Sequence, residues 1–156
     1  LLRAFGQMSF AVLGPGEIDG GLKQLVAHVA STAAGCRYCQ AHTASSAARN
    51  GVEAAKVEAV WTFETDDRFD DAERAALRLA RDAATVPNAT TPEHFASLAE
   101  HYSDEQVVEL VAVISLFGWL NRWNDTMATD LEDEPLGFGR EHLAAQGWDP
   151  GKHAHN

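Results

Sequence analysis

Two cysteines, Cys36 and Cys39, lie in the segment AAGCRYCQAHT, and His42 follows three residues after the second of them. Two thiols at this spacing near a helix start can close a small disulfide, and the helix-end dipole favours the reactive thiolate. His42 falls about one helical turn beyond Cys39 on the same face, where it can take or relay a proton. The trio supplies the parts of a peroxide or disulfide reductase: one sulfur to be oxidised, one to resolve the sulfenic acid, and a base.

Other uses of a CxxC motif fit the sequence less well. Covalent c-type haem requires histidine directly after the second cysteine, where this chain has Gln40, and a thioredoxin-like site requires a preceding strand, where the pattern is helical. A structural zinc would need a fourth ligand beyond the three residues of the motif, and no second Cys or His pair stands at finger-like spacing. We therefore predict no metal and no organic cofactor; buried packing cysteines are the non-catalytic alternative.

The elements that position the motif have helical periodicity. Apolar residues recur every three or four positions in GLKQLVAHVASTAAG, and Gly35 suits the position just past that helix. The motif then opens a second helix, which Asn50-Gly51 stops. Further helix starts are indicated by Asp70, by Thr91-Pro92 and by the Ser103–Gln106 capping box. The helix after Ser103 is the longest and most apolar, which places it in the core or in a subunit interface.

A short helix around FGREHLAAQ is expected to end at Gly147, before a polar tail that includes His153 and His155. Alternating strand patterns are nearly missing, so we predict an all-α fold with one domain over residues 1–156.

The composition limits the partners. The formal net charge of −11 argues against a nucleic-acid or anionic-membrane partner, because phosphate is bound through clustered Lys and Arg. No apolar run reaches the roughly 20 residues that cross a bilayer. A single close pair of cysteines is typical of redox chemistry in a reducing compartment. We expect a cytoplasmic protein that acts on a small or weakly charged substrate.

The motif resembles the CxxC-plus-His signature of the alkyl hydroperoxidase D-like group of the carboxymuconolactone decarboxylase superfamily, many of whose members carry an aromatic residue before the second cysteine, as Tyr38 does here. The long segment LVAVISLFGWLNRWND resembles the family's second-half helix with its paired asparagines, here Asn121 and Asn124. The resemblance spans residues 21–133. It implies an all-α helical bundle that forms a homo-oligomer, a trimer or an assembly of trimers.

The resemblance also implies roles for the two thiols. In peroxidase members the second cysteine attacks the peroxide and the first resolves it, which assigns attack to Cys39 and resolution to Cys36. The helix-end argument instead makes Cys36 the more acidic thiol. We follow the family for the assignment and leave the disagreement open.

The sequence departs from the family pattern at two positions. The family's histidine stands four residues after the second cysteine, where this chain has Thr43, and its upstream glutamate corresponds to Gln24, which cannot act as a base. His28 lies one turn after Gln24 and is our candidate for the missing proton acceptor; a histidine satisfied by structural hydrogen bonds is the equally simple alternative.

We predict a thiol peroxidase that reduces a small hydroperoxide, with electrons from an external dithiol or protein reductant. The predicted catalytic residues are Cys39, Cys36, His42 and His28, and the predicted substrate pocket contains Gln24, Tyr38, Asn121 and Asn124. Two alternatives stay open: a decarboxylase or lactone-processing enzyme of the same superfamily, and a non-catalytic thiol sensor or assembly module.

Overall fold

The computed structural model describes residues 1–154, so His155 and Asn156 lie outside the described residues. Eight α-helices occur in this part of the chain, and no strand does. The helices are α1 (Leu2–Leu13), α2 (Gly20–Ala33), α3 (Arg37–Arg49), α4 (Ala54–Glu58), α5 (Asp71–Ala83), α6 (Pro92–Ala99), α7 (Asp104–Met127) and α8 (Asp133–His142). Short 3₁₀ turns cover Ala59–Thr62, Ala144–Gln146 and Gly151–His153. The predicted all-α fold is confirmed.

Helices α5 and α7 begin directly after the N-cap residues that the sequence predicts. Asp70 and Glu73 form a reciprocal capping box at α5, and Ser103 and Gln106 form another at α7. Each box satisfies two backbone N–H groups that have no partner inside the helix. Gly35 follows the end of α2 with φ of +77°, a left-handed conformation that glycine adopts without steric cost.

Helix α2 is the centre of the fold and packs against α3, α5 and α7. Its most extensive contact is with α3, whose alanines at positions 41, 44 and 47 are completely buried. Such small side chains let two helix backbones approach closely. Only residues 34–36 connect the two helices, so the tight α2–α3 hairpin fixes the position of the CxxC motif.

Helix α1 lies on the outside and contributes no buried residue. It contacts α7, where Phe5 stacks on Trp119 at 4.7 Å between ring centroids. Buried Lys23 holds its C-terminal end by donating to the carbonyl oxygens of Val12 (3.0 Å) and Gly14 (2.7 Å). Lys23 also forms an ion pair with Glu109 of α7. These contacts bring the end of α1 to the dithiol region.

Helix α7 has two different faces, which agrees with its predicted place in a core or interface. Leu110, Val113 and Phe117 are buried in the core, whereas Trp123 and Met127 are exposed. Among the described residues, none of the helices combines the length and apolar character required to cross a membrane.

Candidate active site

The two thiols lie at the turn between α2 and α3. Cys36 is the N-cap of α3, with extended backbone angles, and its Sγ accepts the Cys39 backbone N–H at 3.5 Å. A cysteine thus takes the capping role that Ser, Thr, Asp or Asn usually fills. Both thiols are free and almost completely buried, with 1% and 2% of their surfaces exposed.

The surroundings of the two thiols shift their pKa values in opposite directions. The hydrogen bond from the Cys39 side chain lowers the pKa of Cys36, against the opposing effect of burial, and the Cys39 backbone N–H lowers it further. The same side-chain hydrogen bond raises the pKa of Cys39, and burial and the charge of Cys36 add to that increase. Cys36 is therefore the sulfur that ionises first, which agrees with the helix-end argument.

Only one of the two thiols lines a cavity. A cavity of about 300 Å³ lies between α1, α2, α3 and α7, and Cys39 forms part of its wall. Its lining residues are Leu13, Gln24, Tyr38, Cys39, His42, Thr43, Ser46, Phe117, Leu120 and Asn124. Cys36 lies behind Cys39 and is not among them, so a molecule in this cavity meets the Cys39 sulfur first.

His42 stands at this cavity with a carboxylate partner. Its Nε2 lies 2.7 Å from Oε2 of Glu132, the N-cap residue of α8. The Tyr38 hydroxyl donates to the same carboxylate, at 3.2 Å and 3.4 Å to its two oxygens, and the Tyr38 and His42 rings are 4.4 Å apart. One carboxylate therefore orients both rings beside Cys39.

The Glu132 carboxylate is held in its ionised form. Partial burial opposes ionisation, but hydrogen bonds from its own backbone N–H, from His42 and from Tyr38 lower its pKa. Burial, followed by the charge of Glu132, raises the pKa of Tyr38, so the phenol stays protonated and acts as a donor. Glu132 is not predicted from the sequence, because it lies 90 residues from His42 in an acidic segment that has no metal or catalytic spacing.

His28 occupies a different environment from His42. Its Nδ1 lies 3.0 Å from the Gln40 carbonyl oxygen and 3.0 Å from Thr43 Oγ1, whose hydroxyl donates to the Cys39 carbonyl at 2.7 Å. Complete burial lowers the pKa of His28 to about 4, with the Gln40 hydrogen bond opposing that shift. His28 does not line the Cys39 cavity. The structure connects it to the dithiol through the Thr43 hydroxyl and the α3 backbone, with no direct contact to either sulfur.

The paired asparagines of α7 face different cavities. Asn124 lines the Cys39 cavity and its Nδ2 donates to Cys39 Sγ at 3.6 Å. Asn121 lines a second cavity, against the ends of α2 and α5. The cavity beside Cys39 thus brings together Gln24, Tyr38, His42 and Asn124, and it does not include Cys36, His28 or Asn121.

Within residues 1–154, no group of three or more His, Cys, Asp or Glu side chains is arranged to hold a metal ion.

The fold and site define a class of protein, an all-helical bundle with a buried CxxC dithiol. The chain matches the carboxymuconolactone decarboxylase family over residues 1–82. It is also 39% identical to the debrominase Bmp8, with a TM-score of 0.85 over 90% of this chain and 76% of that one. The chain therefore belongs to the carboxymuconolactone decarboxylase family.

Other relatives agree with this placement. The alkylhydroperoxidase AhpD core protein of Ralstonia eutropha, an uncharacterized peroxidase-related protein, shares the fold, with a TM-score of 0.78 at 23% identity over 88% of this chain and 74% of that one. The uncharacterized protein YdfG of Bacillus subtilis strain 168 is 27% identical over 109 residues, which are 69% of this chain and 72% of that protein. The predicted carboxymuconolactone decarboxylase superfamily is confirmed, and the fold is the one found in an alkyl hydroperoxidase D-like structure.

Proposed function

We propose that the chain is a dithiol-dependent reductase that transfers two electrons from Cys36 and Cys39 to a small substrate. The observation that carries this proposal is the placement of the thiols: Cys39 lines the cavity, and Cys36 lies directly behind it with a sulfur already hydrogen-bonded to Cys39. A sulfur that meets the substrate and a second sulfur within reach are the two parts that such a reduction requires.

Our first candidate substrate is a hydroperoxide. With the Cys36 proton transferred to His42, the Cys36 thiolate takes the Cys39 proton as the Cys39 sulfur attacks the outer peroxide oxygen. The O–O bond breaks, and the leaving alkoxide takes a proton from His42. Cys36 then attacks the sulfenic acid at Cys39, an S–S bond forms, and the hydroxyl leaves as water. One hydroperoxide and two thiols become one alcohol, one water and one disulfide, which an external dithiol or partner protein reduces.

The second candidate substrate is a small bromoaromatic compound. The specific support is the 39% identity to the debrominase Bmp8, a cysteine-to-alanine variant of which was solved in complex with 2,3,4-tribromopyrrole. The walls that Leu13, Phe117 and Leu120 give the Cys39 cavity are apolar and suit an aromatic ring. Here the Cys36 thiolate takes the Cys39 proton, the Cys39 sulfur attacks the bromine as the C–Br bond breaks, and the ring carbon takes a proton from His42. Cys36 then attacks the brominated sulfur, bromide and the Cys36 proton leave, and the same disulfide forms.

A single-turnover experiment separates the two substrates. The reduced protein is mixed with tert-butyl hydroperoxide or with 2,3,4-tribromopyrrole, and the thiols lost are counted against the alcohol or bromide formed. We expect one intramolecular disulfide per product molecule, and the substrate with the larger rate constant identifies the activity. If neither compound consumes thiols, or only intermolecular bridges form, the proposal is wrong. Oxidation without turnover on adding dithiothreitol would favour the thiol sensor.

Substitution of each cysteine tests the division of labour. Cys39→Ser is expected to abolish the reaction, because the cavity then presents no sulfur. Cys36→Ser is expected to leave a Cys39 sulfenic acid that dimedone traps and that is not resolved. Mass spectrometry of the trapped adduct gives the measurement. A sulfenic acid on Cys36 in Cys39→Ser would reverse the assignment and make the more acidic thiol the attacking one.

A further inference from the structure

A second cavity, of about 670 Å³, lies on the side of α7 away from Cys39. It is formed where α7 meets the ends of α2 and α5 and the connection over residues 84–90. Its volume falls in the range of small-molecule sites, which is about 300–1,000 Å³. None of the predicted catalytic residues lines it, so the dithiol chemistry gives it no role.

Asn121 gives this cavity an unusual polar group. The side chain is 4% exposed, and neither its Nδ2 nor its Oδ1 has a hydrogen-bond partner in the part of the chain that the structure describes. An unpaired buried amide is costly, and buried polar groups almost always have partners. Asn121 therefore holds an unpaired donor and an unpaired acceptor in the wall of this cavity.

Arg122 adds a positive charge beside Asn121. Its exposed side chain lines the same cavity and makes no ion pair or hydrogen bond within residues 1–154. The acid at the cavity wall, Asp125, pairs instead with Lys152 at 3.0 Å, and His153 Nε2 lies 3.7 Å from its other oxygen. The chain has a net charge of −11, yet none of its acidic side chains pairs with Arg122 within the described residues. The Arg122 guanidinium is therefore suited to bind a negatively charged ligand.

The rest of the wall is mixed, with hydroxyl and amide side chains over residues 85–90 and at 115 and 126 and apolar side chains between them. Phe95, Val111 and Ile114 surround the polar groups, together with Leu79 and Val86. Apolar walls with a few convergent polar groups are typical of sites for organic molecules. A bare inorganic anion would leave these walls without contacts.

We propose that this cavity binds a small aromatic carboxylate that also carries a hydroxyl group. Arg122 pairs with the carboxylate, and the Asn121 amide donates to an oxygen of the ligand and accepts from its hydroxyl. The ring lies against Phe95 and Ile114. The site is separate from the dithiol, so the proposal stands or falls independently of the reductase activity.

Calorimetry on the full chain with 3-hydroxybenzoate tests the proposal. Benzoate lacks the hydroxyl and phenol lacks the carboxylate, so both should bind at least about tenfold more weakly, since one lost hydrogen bond to a buried partner costs roughly tenfold or more. Arg122→Gln and Asn121→Leu should each weaken the binding of 3-hydroxybenzoate by about tenfold. Arg140→Gln, which alters an exposed arginine outside the cavity, should leave binding unchanged.

Folding of the variants is measured separately. Asn121→Leu is close to isosteric and removes an unpaired amide, so its melting temperature should equal or exceed that of the wild type. Failure of 3-hydroxybenzoate to bind at millimolar concentration overturns the proposal, as does unchanged affinity in both cavity variants. If Asn121→Leu instead changes the oligomeric state, the cavity is a surface between copies of the chain and the proposal is wrong. Cys39→Ser should bind 3-hydroxybenzoate as the wild type does.

Discussion

His28 in the protein interior and His42 at the Cys39 cavity are the same type of side chain in opposite environments. His28 is completely buried between α2 and α3, with only neutral hydrogen-bond partners, and its pKa is lowered to about 4. His42 has a third of its side chain exposed at a cavity and pairs with the Glu132 carboxylate. Of the two, only His42 combines a charged partner with a place at the Cys39 cavity, and we therefore propose His42 rather than His28 as the proton donor.

The largest expected difference between the two regions is catalytic. His42→Gln should slow reduction of tert-butyl hydroperoxide by roughly 10²–10⁴-fold, because a general acid typically contributes that much. His28→Gln should change the rate by less than about threefold, because His28 does not line the cavity. Stopped-flow measurement of thiol loss at pH 7 gives both rates.

A change of leaving group serves as the control for the His42 prediction. Acetate leaves from peracetic acid without needing a proton, so His42→Gln should lose far less activity with peracetic acid than with the alkyl hydroperoxide. An equal loss with both oxidants would make His42 structural. A large loss in His28→Gln would restore the sequence-based hypothesis that His28 replaces the family's glutamate.

The second difference concerns stability and pH. Unfolded His28 binds a proton with a pKa near 6.5 and folded His28 only near 4, so the unfolded state binds more protons between these values and protonation favours unfolding. The stabilising contribution is complete above about pH 6.5 and is lost as the pH falls to about 4; its size is about 3 kcal/mol. Urea unfolding across this range should show a slope that His28→Gln flattens. The exposed His101→Gln should leave the slope unchanged.

The sequence predicts the dithiol region well because its residues are local. Tyr38 and His42 line the Cys39 cavity, and short helical spacing predicts that they lie together, whereas Gln24 of the preceding helix was assigned to the site from the family resemblance. Gly35 and the Cys36 N-cap fix the α2–α3 turn by their own conformations. Cap residues likewise predict where α5 and α7 begin.

Long-range packing explains what the sequence leaves out. Helix α1 contributes no buried residue and is held by Lys23 and Glu109, which lie outside it in the sequence. Glu132 reaches His42 only because α8 packs on α3. Asn121 and Asn124 stand three positions apart, and both were predicted to lie in the substrate pocket. In the structure Asn124 lines the Cys39 cavity, whereas Asn121 lines the second cavity.

The third prediction concerns the thiol rather than the histidines. Asn124 Nδ2 donates to Cys39 Sγ and lowers the pKa of Cys39 against stronger opposing effects. Asn124→Leu should therefore slow alkylation of Cys39 by iodoacetamide by about tenfold at pH 7, since a hydrogen bond to a charged group is worth roughly that factor. The rate is best measured in Cys36→Ser, where one thiol reacts.

Two matched variants distinguish the hydrogen bond from general disruption of α7. Thr129→Val removes the 3.0 Å bond from the Thr129 hydroxyl to Asn124 Oδ1 without touching sulfur, and Asn121→Leu alters the other cavity. Both should alkylate at nearly the wild-type rate. Equal slowing in all three variants would show that α7 merely packs against the dithiol.

The smallest expected effect belongs to the carboxylate behind His42. Glu132 is 61% exposed, and exposed ion pairs contribute little, so Glu132→Gln should slow hydroperoxide reduction only about two- to fivefold. The change keeps the side-chain shape and removes the charge that orients His42 and Tyr38. Glu134→Gln is the matched control, because Glu134 lies on the same helix and pairs with Arg49 instead. If Glu132 acts through His42, adding Glu132→Gln to His42→Gln should cost nothing further. Additive losses in the double variant would mean that Glu132 acts independently of His42, through Tyr38 or through the packing of α8. The Glu132 carboxylate would then not explain the difference between His42 and His28.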